Sequence, residues 1–158
     1  MTTTTLPPLL RAATSTFESL ALLVAEPALA GDASPAPMLH AVSVGFRGPA
    51  RGRLVLRVSD DVRAALAANM LGVADPAPAL QVDALGEVAN VICGNLLPAL
   101  AGSAAVFRLA APMPLPADGA LHPADGERRA ETVAVAVEAG RAELVLFLVV
   151  GDAFPPGA

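Results

Sequence analysis

Three side chains able to do chemistry recur at helical spacing in one segment of the 158-residue chain: Asp83, Glu87 and Asn90, followed one turn later by Gly94. At about 100° per residue they fall within roughly 60° of one another, while Leu85, Val88, Ala89, Ile92 and Leu96 gather on the opposite side. One face of this segment reads as core and the other as a narrow stripe of acid and amide. No Arg lies in the segment, so the Glu87 carboxylate has no local cation and is free to pair with one on a partner. The Asn90 amide carries a carbonyl acceptor and an NH2 donor on a short side chain, which suits it to orienting a small polar molecule such as water. Asn and Gly are poor helix formers, Gly by about 1 kcal/mol relative to Ala, so Asn90, Gly94 and Asn95 sacrifice local stability. Gly94 leaves room for another backbone to approach.

Other chemistries have less to work with. Cys93 sits to the side of the stripe with no histidine near it in sequence, and reads as a buried core residue rather than a nucleophile. His40 and His122 with that single Cys are too few to build a metal site without carboxylates, and no metal or other cofactor is expected on this chain. Arg47, Arg51, Arg53 and Arg57 crowd one hairpin; the reading is a solvated sheet face, with anion binding as the alternative. A formal charge of -5 and a pI near 4.8 argue against nucleic acid and anionic membranes as partners. The absence of Trp and Tyr removes the platforms on which single-stranded bases stack.

The rest of the chain must hold the stripe in place. With 54% hydrophobic and 16% charged residues it is expected to fold as one globular domain over 1–158. Leu9 to Val24 has apolar residues at steps of three and four, which predicts a first helix ending before Pro27, with a Pro- and Ala-rich connector from Gly31 to Pro37. Leu39 to Phe46 and Arg53 to Val58 alternate and predict a hairpin. Ser59 as N-cap and Gly72 as stop frame a second helix near Asp60 to Leu71. The motif helix is expected over about 79–97, with Pro98 predicting a kink or an early stop. Ala105 to Leu109 reads as a strand, and Pro112 to Arg129 as a long surface loop. Two apolar strands follow from Glu131 and Glu143, joined by a turn at Ala139 and Gly140, and Asp152 to Ala158 reads as a frayed tail. The seven apolar residues Leu144 to Val150 predict a strand covered on both faces or one that meets a partner chain. No apolar run approaches the roughly 18 residues of a spanning helix, and Thr2 to Thr5 do not resemble a targeting segment, so a cytoplasmic protein is expected. The order of elements indicates an α/β sandwich with helices packed on a mostly antiparallel sheet.

The stripe and its surroundings resemble the CheC, CheX and FliY family of chemotaxis phosphatases. The family motif runs Asp or Ser, three residues, Glu, two residues, Asn, twenty-one residues, Pro, and Asp83, Glu87, Asn90 and Pro112 stand at those spacings. "ALGEVANVICGNLLPAL" is similar to the family helix and "RGRLVLRVSDDVRAALAANMLG" to the strand and helix before it. Glu18 is followed three residues later by Ala21 rather than Asn, so a single motif copy is present, as in the CheX type. The resemblance implies a phosphatase that hydrolyses the aspartyl phosphate of a phosphorylated CheY-like response regulator. Glu87 would engage a cation at the regulator's active site and Asn90 would orient the attacking water. Asp83, Gly94 and Pro112 would belong to the partner-binding surface. Mg is expected in the partner's receiver domain rather than on this chain, and a CheX-like homodimer is expected. The competing reading from another class is a non-catalytic module that binds a receiver or a flagellar-switch component.

Overall fold

A computed structural model describes residues 6–28, 37–138 and 140–155. The expected connector as far as Ala36, the Thr2–Thr5 segment, the turn residue Ala139 and the last residues 156–158 lie outside the described part.

Helix α1 (Pro8–Ser19) opens with Pro at a first-turn position and buries Leu9, Leu10, Ala13 and Phe17. It stops at Ser19 instead of reaching Val24. Leu22 adopts a left-handed backbone with φ 55°, and burial then alternates, Leu23 and Ala25 inside, Val24 outside. That segment is drawn into β1 (Ala25–Pro27), which pairs with a strand more than a hundred residues away in sequence. Pro7 supplies no side-chain cap to α1; the Leu9 backbone N–H acts on the Glu131 carboxylate there, lowering its pKa against the larger effect of partial burial, which pushes it up.

The expected hairpin is present as β2 (Met38–Arg47) and β3 (Gly52–Ser59), with Val42 opposite Leu56 and Val44 opposite Leu54. Helix α2 (Asp60–Leu71) follows, closed by Gly72 in the left-handed region that favours glycine. Ser59 does not cap it with its side chain. Its hydroxyl donates to Asp61 Oδ1 at 2.6 Å and accepts the Arg141 N–H at 3.1 Å, a tertiary demand that outweighs the local one. After α3 (Pro78–Ala101) come β4 (Arg108–Leu109), β5 (Met113–Leu115), β6 (Glu127–Val137) and β7 (Gly140–Val149).

Among the described residues the seven strands form one sheet in the order β1-β6-β7-β3-β2-β4, with β5 also on β2, and every pairing is antiparallel. The helices cover one face, where Val44, Leu54, Leu56, Leu144 and Leu146 meet Phe17, Leu66, Val88 and Ile92. This is an α/β sandwich, as expected. Besides the end of α1, two stretches of the sheet read differently from the sequence. Strand β4 is two residues long rather than five, and the expected loop from Pro112 to Arg129 contains β5 and the start of β6. Its prolines resemble loop punctuation but are compatible with an edge strand, where a missing N–H faces no ladder partner.

The apolar run from Leu144 is explained within the domain. Strand β7 is central, between β6 and β3. Its Leu144, Leu146 and Leu148 face the helices, while Val145 and Phe147 join Ala41, Val55 and Ala120 in a second cluster flanked by Leu115 and Leu121. No partner chain is required to cover it. The hairpin arginines are mostly consumed here too: Arg53 pairs with Glu127 at 2.8 Å and lies 4.6 Å over the Phe147 ring, and Arg57 pairs with Glu143 at 2.7 Å. Side-chain hydrogen bonds from Arg53 hold Glu127 below the ordinary carboxylate value, against the opposing effect of burial. Nor does the chain fray at Asp152, whose carboxylate takes hydrogen bonds from the Arg51 guanidinium and backbone. Phe154 stacks on Phe46 at 6.3 Å.

Candidate functional site

Helix α3 carries the stripe and is longer than expected, passing through Pro98 to end at Ala101. A proline costs a helix the N–H that would bond the carbonyl four residues earlier. Here that carbonyl belongs to Gly94, which is exposed, and the next turn closes with Gly102 N–H on Pro98 O at 2.9 Å. By length and composition α3 would suffice to cross a membrane, contrary to the expectation from consecutive apolar residues, but 56% of its most apolar stretch is buried inside the domain. Ala84, Leu85, Val88, Ala89, Ile92, Cys93, Leu96 and Leu97 make that buried side.

On the opposite side Asp83 and Glu87 are exposed and Asn90 is half-buried. Together with Leu109, Ala110, Ala111 and Pro112 they line one open cleft of about 620 Å³. Twenty-one residues of chain separate Asn90 from Pro112, and the pairing of β4 and β5 with β2 brings the proline back beside the helix. Asp83, Glu87 and Asn90 make no hydrogen bond or ion pair with any described residue. Four of the five residues singled out from sequence thus share one cleft, and the three with polar side chains have those groups unspent among the described residues.

Gly94 is the fifth. It lies on the same exposed face beyond the cleft lining, and a Cβ placed there meets nothing within 4 Å. Nothing among the described residues requires glycine at this position, so Gly94→Ala is expected to raise the unfolding free energy by about 0.5–1 kcal/mol, read as a higher denaturation midpoint.

A sixth residue escaped the sequence reading. Gly86 is buried immediately before Glu87, and a Cβ there would stand 3.0 Å from Pro112 Cβ and 3.4 Å from its Cγ. The missing side chain lets the Pro112 segment lie against α3 and form the far wall of the cleft. The only signal in the sequence was a glycine in mid-helix with no apparent reason to be there.

Cys93 is buried, and burial pushes its thiol up to about 12, so it carries no thiolate at neutral pH. His40 Nε2 lies 2.7 Å from Asp60 Oδ1, and among the described residues no three His, Cys, Asp or Glu side chains converge as metal ligands would.

No curated protein matches the sequence at a significant level. Solved structures with a similar fold include chemotaxis protein CheX from Vibrio vulnificus, with a TM-score of 0.68 and 21% identity over 89% of this chain and 93% of that one. The CheX-CheY-BeF3-Mg complex from Borrelia burgdorferi contains a chain at TM-score 0.66 and 18% identity, over 90% of this chain and 96% of that one. A chemotactic CheC-like protein from Shewanella oneidensis MR-1 follows at 0.61 and 24% identity, covering 89% and 95%. At such identities the likeness is one of fold. Residues 40–138, more than half of the chain and including α3 and every lining residue of the cleft, match the family described as chemotaxis phosphatase CheX, so the chain belongs to that family.

Proposed function

We propose that this chain is a phosphatase acting on the aspartyl phosphate of a CheY-like response regulator, with α3 entering the regulator's active site. The observation that carries the reading is the convergence of Asp83, Glu87, Asn90 and Pro112 on one open cleft, the three polar side chains having no partner among the described residues. An acyl phosphate is labile, and most of what hydrolysis still requires is a water held in line with the phosphorus. Asn90 supplies the amide that holds it. Glu87 docks on a cation of the regulator, and Asp83, Gly94 and Pro112 form the contact surface around them. The divalent cation of the reaction, Mg in our reading, belongs to the regulator, as its presence in the Borrelia CheX-CheY-BeF3-Mg complex supports. The reaction takes place in the cytoplasm with the regulator. Purified protein mixed with phosphorylated CheY-like receivers is the direct test: accelerated loss of phosphate is expected, whereas unchanged or slower loss would favour the non-catalytic binding module.

The Gly86–Pro112 contact makes a second expectation. In Gly86→Ala the gain in helix propensity offsets the crowding, leaving stability within about 1 kcal/mol of wild type. The displaced Pro112 wall nevertheless lowers hydrolysis several-fold, because positioning is most of the catalysis. Denaturation and phosphate-release assays on the same preparation separate the two effects.

The homodimer remains part of the proposal on different grounds from the apolar run of β7. Strand β1 pairs with Val135–Val137 of β6 and the Ala28 N–H reaches the Ala134 carbonyl, so among the described residues the outer edge of β6 before Ala134 has no strand partner. An open edge invites a strand from a second copy. Light scattering is expected to give twice the chain mass at micromolar concentration; a monomer throughout would remove the dimer from this reading.

A further inference from the structure

Ten arginines are the chain's whole supply of strong cations, and most are tied to acceptors in the fold. Arg51, Arg53 and Arg57 pair with Asp152, Glu127 and Glu143. Arg63 bonds Gln81, and Arg128 and Arg129 bond backbone carbonyls. Arg47 and Arg108 are different. They stand directly opposite each other in the β2–β4 pairing, both exposed, and neither has a hydrogen bond or ion pair with any described residue. Like charges directly opposite on antiparallel strands destabilise the pairing. In a chain of net charge -5 carboxylates are plentiful, yet none among the described residues neutralises these two.

The fold holds the pair in place despite the repulsion. The residue before each arginine is aromatic, and the Phe46 and Phe107 rings meet edge to face at 5.9 Å, with Phe154 packed on both. Beside Arg47, a Cβ at Gly48 would come within 2.6 Å of the Val106 carbonyl, so the backbone there is pressed against the segment leading into β4. Arg47 and Arg108 line an open cleft of about 770 Å³ that shares Leu109 and Ala110 with the cleft of Glu87 and Asn90. The two clefts are the two sides of one edge segment. Phe46 faces the helices, so Arg47 and the Arg108 opposite it stand on the other face of the sheet and adjoin the Glu87 cleft through the shared edge residues Leu109 and Ala110.

An electrostatic difficulty in the proposed reaction gives this arrangement a use. A chain of net charge -5, with Asp83 and Glu87 at the mouth of its site, must approach a phosphoryl group that is itself anionic. We propose that Arg47 and Arg108 form a cationic docking rim that engages an acidic segment of the phosphorylated receiver beside its phospho-aspartate. This assignment rests on the phosphatase reading for its partner. The rim offsets the repulsion at the cleft and steers the encounter, acting mainly on the association rate.

The test uses the full chain and the CheY-like receivers of the source organism, each loaded with Mg2+ and beryllofluoride. Wild type is compared with the Arg47→Gln/Arg108→Gln double variant and with Arg47→Lys/Arg108→Lys. The Gln variant is expected to bind about tenfold more weakly at about 50 mM ionic strength, chiefly through slower association, and within about twofold of wild type at about 500 mM. The Lys variant restores most of the affinity, which a packing role would not allow. With phosphorylated receiver, the loss appears in kcat/KM rather than kcat. Equal affinity and equal salt dependence for wild type and the Gln variant would overturn the rim while leaving the phosphatase reading intact. If wild type binds receivers without hydrolysing the phosphorylated form, the phosphatase reading fails and the binding comparison still decides the rim. Absence of binding by wild type to all of these receivers would sink both.

Discussion

Asn90→Ala is expected to remove about 99% of the receiver-phosphate hydrolysis, a hundredfold fall in kcat, while leaving affinity for the activated receiver within a few-fold of wild type. Asn90 is half-buried in the lining of the cleft and its amide bonds none of the described residues, so its donors and acceptor are available to a water in the complex. Ala keeps the backbone and the cleft but has nothing to hold that water. Stability should not fall, because no internal hydrogen bond is lost and Ala is the better helix former by a few tenths of a kcal/mol. Single-turnover phosphate release at saturating chain, beside a binding isotherm, separates the two quantities. Full hydrolysis by Asn90→Ala would end the water-orienting role and make the non-catalytic module the better account.

Glu87→Gln has the complementary signature. The Glu87 carboxylate is exposed and forms no ion pair within the described chain. If it meets a cation on the regulator and the contact is desolvated, that charge-assisted bond is worth about 1.5–3 kcal/mol, a loss of roughly ten- to hundredfold in affinity. Gln preserves the shape and removes the charge. Surface substitutions of this kind move stability by about 0.5 kcal/mol or less, so unfolding is not a competing explanation. Titration of the variant into beryllofluoride-activated receiver is the measurement, and an unchanged dissociation constant would remove Glu87 from the docking role.

What the sequence determined by itself is local. The stripe Asp83, Glu87, Asn90, Gly94 follows from helical periodicity alone, as do the buried side of α3 and the hairpin of β2 and β3, because these patterns repeat within a few residues of chain. The motif spacing reached further and put Pro112 with the stripe, though without a reason. The reason is tertiary: Gly86 has no side chain, so the Pro112 segment can lie against α3. Non-local pairing also decided where sequence periodicity misled. Strand β1 takes its form from β6, which ended α1 early, and β5 takes its form from β2, which turned a Pro-rich loop into sheet. The apolar run of β7 is compatible with burial on both faces or with a partner chain, and only the placement of β7 between β6 and β3 under a second cluster selected burial. The arginines show the same division. Their clustering is visible in the chain, but only tertiary placement separates the three that are neutralised by carboxylates from Arg47: the sheet brings Glu127 and Glu143 to Arg53 and Arg57, the segment after β7 brings Asp152 to Arg51, and the register sets Arg47 against Arg108 with neither paired among the described residues.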